Sequence, residues 1–103
     1  MIEVGITRIA IDDQQRLCVF PAEANPSLYT FVYRAGAEIT WDTGGYFCSP
    51  PPREWSYTRW LEQLISAVRG ELGLELTLLP NTEFVSVPPA DIDSMRALMA
   101  RAT

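Results

Sequence analysis

The stretch Ile2-Glu3-Val4-Gly5-Ile6-Thr7-Arg8-Ile9-Ala10-Ile11 decides the fold. Ile2, Val4 and Ile6 alternate with Glu3, Gly5 and Thr7, the two-residue period of a strand with one buried face. The phase then slips, and Ile9 and Ile11 alternate with Arg8 and Ala10. A one-residue slip would turn the later apolar side chains to the opposite face. The pattern therefore predicts a β-bulge near Thr7-Arg8 that keeps all of them on one side. Asp12-Asp13-Gln14-Gln15 predicts a hairpin turn, and Arg16 to Phe20 the return strand.

Further along, Pro21 to Pro26 reads as a loop. Tyr29, Phe31 and Tyr33 form one face of a third strand, with Thr30, Val32 and Arg34 on the other, and Ala35-Gly36 ends it. Ile39 and Trp41 mark a fourth strand. Thr43-Gly44-Gly45 is a tight turn into a fifth, Tyr46-Phe47-Cys48. Five strands joined by short turns predict an antiparallel meander rather than βαβ units.

Ser49-Pro50-Pro51-Pro52 then stiffens the chain. The spacing predicts a helix from Arg53 or Glu54 to Leu72, with Tyr57, Leu61, Leu64, Ile65, Val68 and Leu72 in one stripe about 100° wide. Glu54 would sit in its first turn, where a negative charge suits the helix dipole. Gly70 is an internal weak point, and Gly73 suits a left-handed cap. Leu74, Leu76 and Leu78 alternate with Glu75 and Thr77 as a half-buried strand, and Pro80-Asn81 predicts a turn. Thr82 to Val87 has no decisive pattern and fits a short edge strand. Pro88-Pro89 opens a last helix through Arg101, with Ile92, Met95 and Met99 as its stripe and Leu98 beside it. The expected order is β-β-β-β-β-α-β-α, an α+β fold in a single domain over residues 1–103.

Composition bounds the chemistry. The 103 residues carry 13 acidic and 8 basic side chains for a formal charge of -5, and every basic residue is arginine. The absent histidine excludes Ser-His-Asp and Cys-His nucleophile systems, His-ligated metals and imidazole switches. The absent lysine excludes a Schiff base and a P-loop. An apolar fraction of 48% supports one packed core. The sequence pI of about 4.5 argues against a nucleic acid or an anionic membrane surface and suits a basic protein partner. There is no signal peptide pattern and no apolar run of about 18 residues, so a cytoplasmic protein is expected. Cys18 and Cys48 both lie in apolar runs and read as small, reduced, buried hydrophobes. A redox role would need an electropositive, accessible setting.

Three motifs dissolve into structural roles. Glu38 and Asp42 lie about 13 Å apart along a strand, too far to share a proton, and read as a solvated face with Thr40. Asp91 and Asp93 lack the glycine and distal glutamate of a calcium loop and read as helix N-terminal charge. Gly44-Gly45 lacks a phosphate-loop continuation and reads as a hairpin turn. No cofactor or metal is expected.

The segment from Pro50 to Trp60 is the most unusual. On a wheel centred on Leu61, Trp55 falls about 120° away, beside Arg59, Glu62 and Ser66 on the polar side. Either the three prolines cover it, or it is exposed between Arg53 and Arg59, a composition favoured at protein interfaces. A pocket bounded by Trp41, Trp55 and Tyr57 is a third reading. The candidate binding residues are thus Trp41, Arg53, Trp55, Tyr57 and Arg59.

Phe31-Val32-Tyr33-Arg34, Ile39-Thr40-Trp41-Asp42 and the proline-rich run into Arg53-Glu54-Trp55-Ser56-Tyr57 resemble small proteins encoded on integron gene cassettes, over about residues 28 to 87. The resemblance implies a free-standing bacterial α+β protein carried on a mobile element. It transfers no activity and no catalytic residue.

The function expected on these grounds is a non-enzymatic binding or interaction module. It would engage a protein partner, such as a basic effector, or a second copy of itself. The alternative is a small-molecule binder or small enzyme with an Arg/Trp-lined pocket between sheet and long helix. There Arg34 or Arg53 would hold an anion, and Tyr33 or Glu38 would act as acid or base.

Overall fold

The computed structural model describes residues 2–22, 39–42, 44–50 and 56–101. Five strands, β1 (Ile2–Ile11), β2 (Leu17–Pro21), β3 (Thr40–Asp42), β4 (Tyr46–Cys48) and β5 (Leu74–Val85), form one sheet in the order β3-β4-β2-β1-β5. Two helices, α1 (Tyr57–Leu72) and α2 (Pro89–Arg101), complete the described fold.

The class is α+β as expected, but the sheet is mixed rather than an antiparallel meander. The β1–β2, β2–β4 and β3–β4 pairs are antiparallel, whereas β5 joins β1 in parallel. The physical reason is α1. Strand β4 already runs parallel to β1, two antiparallel steps away. A helix carries the chain back along the sheet, so the next strand enters in the same direction as β4. Strand order differs as well, because β2 pairs with β4 rather than with the strand that follows it among the described residues. The strand expected over 29–34 lies outside the described residues.

The phase slip in β1 is a bulge. Ile6 pairs with Pro21 and Arg8 with Phe20, which leaves Thr7 as the extra residue opposite β2. Val4, Ile6 and Ile9 consequently all reach the core. On the other side, Ile6 pairs with Leu78 but Arg8 with Glu83, so four residues of β5 bulge opposite Thr7. Pro80-Asn81 is therefore part of a bulge and not a turn, and Thr82 to Val85 continues the same strand. Thr82 holds the bulge closed. Its Oγ1 donates to the Ile6 carbonyl at 2.6 Å and accepts from the Leu79 N–H at 2.7 Å. Proline fits here because a bulge needs no ladder donor from it. Leu79 then covers Gly5, where an added Cβ would meet it at 2.7 Å.

The helix begins later than its apolar spacing suggested. Ser56 is the N-cap, extended at φ -72° and ψ 167°, and its Oγ accepts from the Arg59 N–H at 3.2 Å. No acidic residue occupies the first turn, and Glu54, expected there, lies outside the described residues. Trp55 precedes the cap, so the wheel position given to it does not apply. Trp55 and Arg53 lie outside the described residues, as does any cover from Pro51 and Pro52. At the other end, Gly73 takes φ 67° and closes the helix through its N–H to the Arg69 carbonyl.

One core joins both helices to one sheet face. Ile6, Ile9, Leu17, Val19, Phe47 and Leu76 meet Leu61, Leu64, Ile65 and Val68 of α1 and Met95 of α2, all buried. Trp60 also enters this core. The other sheet face carries Arg8, which pairs with Glu83 at 2.9 Å and lies over the Phe20 ring. Phe20 in turn stacks against Tyr46 at 4.7 Å.

Candidate binding cleft

The β1–β2 turn builds one wall of an open cleft, and Asp12 organises it. Asp12 Oδ1 accepts from the backbone N–H of Gln14 at 3.0 Å and of Arg16 at 2.8 Å, and Oδ2 accepts from Arg16 Nε at 2.8 Å. Burial alone would raise the carboxyl, but the hydrogen bonds from Arg16 and Gln14 outweigh it and hold Asp12 below its ordinary value. Gln15 closes the turn at φ 64°.

The second wall is Tyr57, the first residue of α1, whose Oη donates to the Gln15 carbonyl at 3.0 Å. The third is the end of β5, where Ser86 at φ 59° redirects the chain into Pro88 and α2. Between them lies a cleft of about 370 Å³, with Ile11 and Pro88 as apolar lining and Asp12, Asp13, Gln15, Tyr57 and Ser86 as polar lining.

Two features set this cleft apart. Gln15 and Ser86 are the two non-glycine residues with positive φ among the described residues, and both line it. Left-handed backbone at non-glycine residues is uncommon and concentrates at functional sites. The lining is also acidic. Burial pushes the Tyr57 phenol up, and the charges of Asp91 and Asp12 push it further, which marks negative potential at the ring.

The other expected binding residues do not converge on it. Trp41 sits on β3 with its ring edge-on to Phe47 at 4.9 Å, packed against the core. Arg59 is exposed and reaches Glu62 at 3.3 Å. Asp42 caps the β3–β4 turn, its Oδ1 accepting from the Gly44 N–H at 2.7 Å. Where Leu17, Val19, Ile39, Phe47, Trp60 and Leu64 meet between sheet and α1, no space remains for a water molecule. Arg34, Tyr33 and Glu38, the other parts of the sheet-to-helix pocket, lie outside the described residues. Sequence reasoning missed Asp13, Gln15 and Ser86 as lining. The paired aspartates gave a turn signal only, and Ser86 between two valines gave none.

A second cluster adjoins the cleft. Cys18 stands opposite Cys48 across the β2–β4 ladder, both buried. Their sulfurs and an Asp12 carboxylate oxygen all lie within 4.8 Å of one another. Burial pushes the Cys18 thiol up to about 12, with Cys48 and Asp12 adding to the shift. The charge of Arg16 acts on both thiols.

Among known proteins, the model of one family, described as integron cassette protein Hfx_Cass5, matches residues 4–82 of the chain. The chain belongs to the Hfx_Cass5 family of integron cassette proteins. A solved Hfx_Cass5 structure from the mobile metagenome of the North West Arm sewage outfall is 35% identical to it, covering 97% of this chain and 98% of that one, with a TM-score of 0.45. No curated protein matches. The Hfx_Cass5 match spans Ile11 to Gln15 and Tyr57 but ends before Ser86 and Pro88, so the cleft has two walls inside it and one beyond. Among the described residues, no helix is long and apolar enough to cross a membrane.

Proposed function

We propose that this cassette protein is a non-enzymatic binding module, and that its sheet-end cleft receives a basic segment of a partner protein. The observation that carries the reading is the convergence of Asp12, Asp13 and the Tyr57 ring on one open cleft whose backbone is held in two left-handed conformations. An arginine or lysine side chain would place its cation between Asp13 and the Tyr57 ring and its stem along Ile11 and Pro88, while Asp12 stays paired with Arg16. The net charge of -5 would steer such a partner from a distance. Neutralising a basic effector is the narrower form of this function.

Calorimetric titration with an oligo-arginine peptide at low and moderate salt tests it. The expected result is saturable binding that weakens as salt rises and weakens again in Tyr57→Ala and Asp13→Asn. Glu71→Gln removes an equal charge at the far end of α1 and should leave binding nearly unchanged. Equal losses in all three variants, or no binding, would defeat the proposal.

A second reading, self-association, is favoured by one observation. Strand β5 ends the described sheet, and Val85 on it is 40% exposed. An edge strand offers unpaired backbone to a second copy. Sedimentation of the wild type against Val85→Lys distinguishes the cases, since a dimer paired through β5 should dissociate in the variant.

A further inference from the structure

We propose that Cys18, Cys48 and Asp12 form a binding site for one thiophilic divalent cation of the zinc type. The site is assembled by register and not by a sequence motif. Cys18 and Cys48 are direct partners in the antiparallel β2–β4 ladder, so their side chains leave the sheet on the same face. Asp12, held rigidly by Gln14 and Arg16, brings one carboxylate oxygen within 4.8 Å of both sulfurs.

Two considerations support a metal. Cys18 and Cys48 form a non-hydrogen-bonded pair, since the Ser49 N–H beside them donates to the Leu17 carbonyl at 3.0 Å. Such a pair is close enough for a disulfide or a shared ion, and the Asp12 carboxylate within 4.8 Å of both sulfurs favours the ion. Two thiolates on a tetrahedral ion at about 2.3 Å each are about 3.8 Å apart, so the cluster needs to close by at most about 1 Å. The second consideration is charge. The empty site holds two neutral thiols, a carboxylate and the Arg16 guanidinium 2.8 Å from it, for a net charge of zero. Binding breaks two S–H bonds, forms two sulfur–metal bonds and one oxygen–metal bond, and releases two protons to solvent. Two thiolates, one carboxylate, one guanidinium and one divalent ion again sum to zero. A buried site that exchanges two protons for one divalent ion avoids the cost of a new uncompensated charge. Three protein donors leave a fourth position for water, the arrangement of open zinc sites.

The test uses the full chain, stripped with chelator and reductant and then titrated with cadmium and with zinc against a chromophoric chelator. The expected result is one equivalent bound, a thiolate-to-cadmium absorption band, and an apparent affinity that rises about 100-fold per pH unit at neutral pH because two protons leave. Cys18→Ser and Cys48→Ser should each abolish the band, and Asp12→Asn should weaken binding about tenfold or more while the band remains. Should a serine variant fail to fold, the wild-type band and its proton release decide alone. Binding without the band, an affinity that ignores pH, or an oxidised protein two mass units lighter that takes up no metal after reduction would overturn the proposal.

Discussion

Tyr57 ties the start of α1 to the β1–β2 turn: its Oη donates to the Gln15 carbonyl at 3.0 Å, across 42 positions of sequence. This contact fixes one wall of the cleft and couples helix to hairpin. Tyr57→Phe keeps the ring and removes the hydrogen bond. It should cost about 1 kcal/mol or less, read as a lower denaturant midpoint, since a partly exposed hydrogen bond contributes little net stability.

Thr82 is the more vulnerable polar residue. Its hydroxyl serves the Ile6 carbonyl and the Leu79 N–H at once inside the sheet. Thr82→Val is close to isosteric and leaves both backbone groups unpaired. A loss of about 2 kcal/mol or more is expected by chemical denaturation. A neutral result would mean that the bulge is not held by this side chain.

Two glycines near the end of α1 should respond with opposite signs. At Gly70 an added Cβ meets nothing within 4 Å, so Gly70→Ala should stabilise by about 0.5–1 kcal/mol. Gly73 at φ 67° is in the left-handed region, so Gly73→Ala should destabilise by about 1 kcal/mol. Thermal midpoints of the two variants check both signs.

Much of this was legible in the residues, and the failures have physical causes. The slip between Ile6 and Ile9 foretold the bulge, because apolar side chains must share one face. Gly73 and the stripe from Leu61 to Val68 fixed the end and the buried side of α1. The alternation of Leu74, Leu76 and Leu78 identified a strand but carried no information on partner or direction, and so the parallel pairing with β1 was invisible. The start of α1 was misplaced because Arg53 and Glu54 are good helix formers, whereas the Ser56 hydroxyl has the stronger local claim as a cap. Tyr57 is a candidate in the sequence only for a pocket with Trp41 and Trp55, whereas in the fold it lines the cleft at the β1–β2 turn, a cleft that no motif marks. The cysteine pair was hidden, since 30 positions and a strand register separate Cys18 from Cys48.

Stability should fall at both ends of the pH scale. Asp12 and Glu75 are lowered in the fold from ordinary values of 3.8 and 4.5, Glu75 chiefly by its hydrogen bonds from Arg69. A lowered carboxyl contributes stability that is complete above its ordinary value and is lost as pH falls through the folded one. Cys18 has the opposite sense. Raised from 9.0 to about 12 by burial, it contributes stability that is complete below pH 9.0 and is lost as pH rises towards 12. Denaturation midpoints should therefore decline below about pH 4 and above about pH 9. Asp12→Asn should flatten the acid side, and Cys18→Ala the alkaline side.

The cleft as a receptor for a basic segment is tested most directly by amide NMR of the labelled protein titrated with an oligo-arginine peptide. The largest shifts should cluster at Asp13, Gln15, Tyr57 and Ser86, saturate together, and need more peptide to saturate in Tyr57→Ala. Small shifts spread over all the exposed acidic residues, with Glu71 moving as far as Asp13, would contradict it.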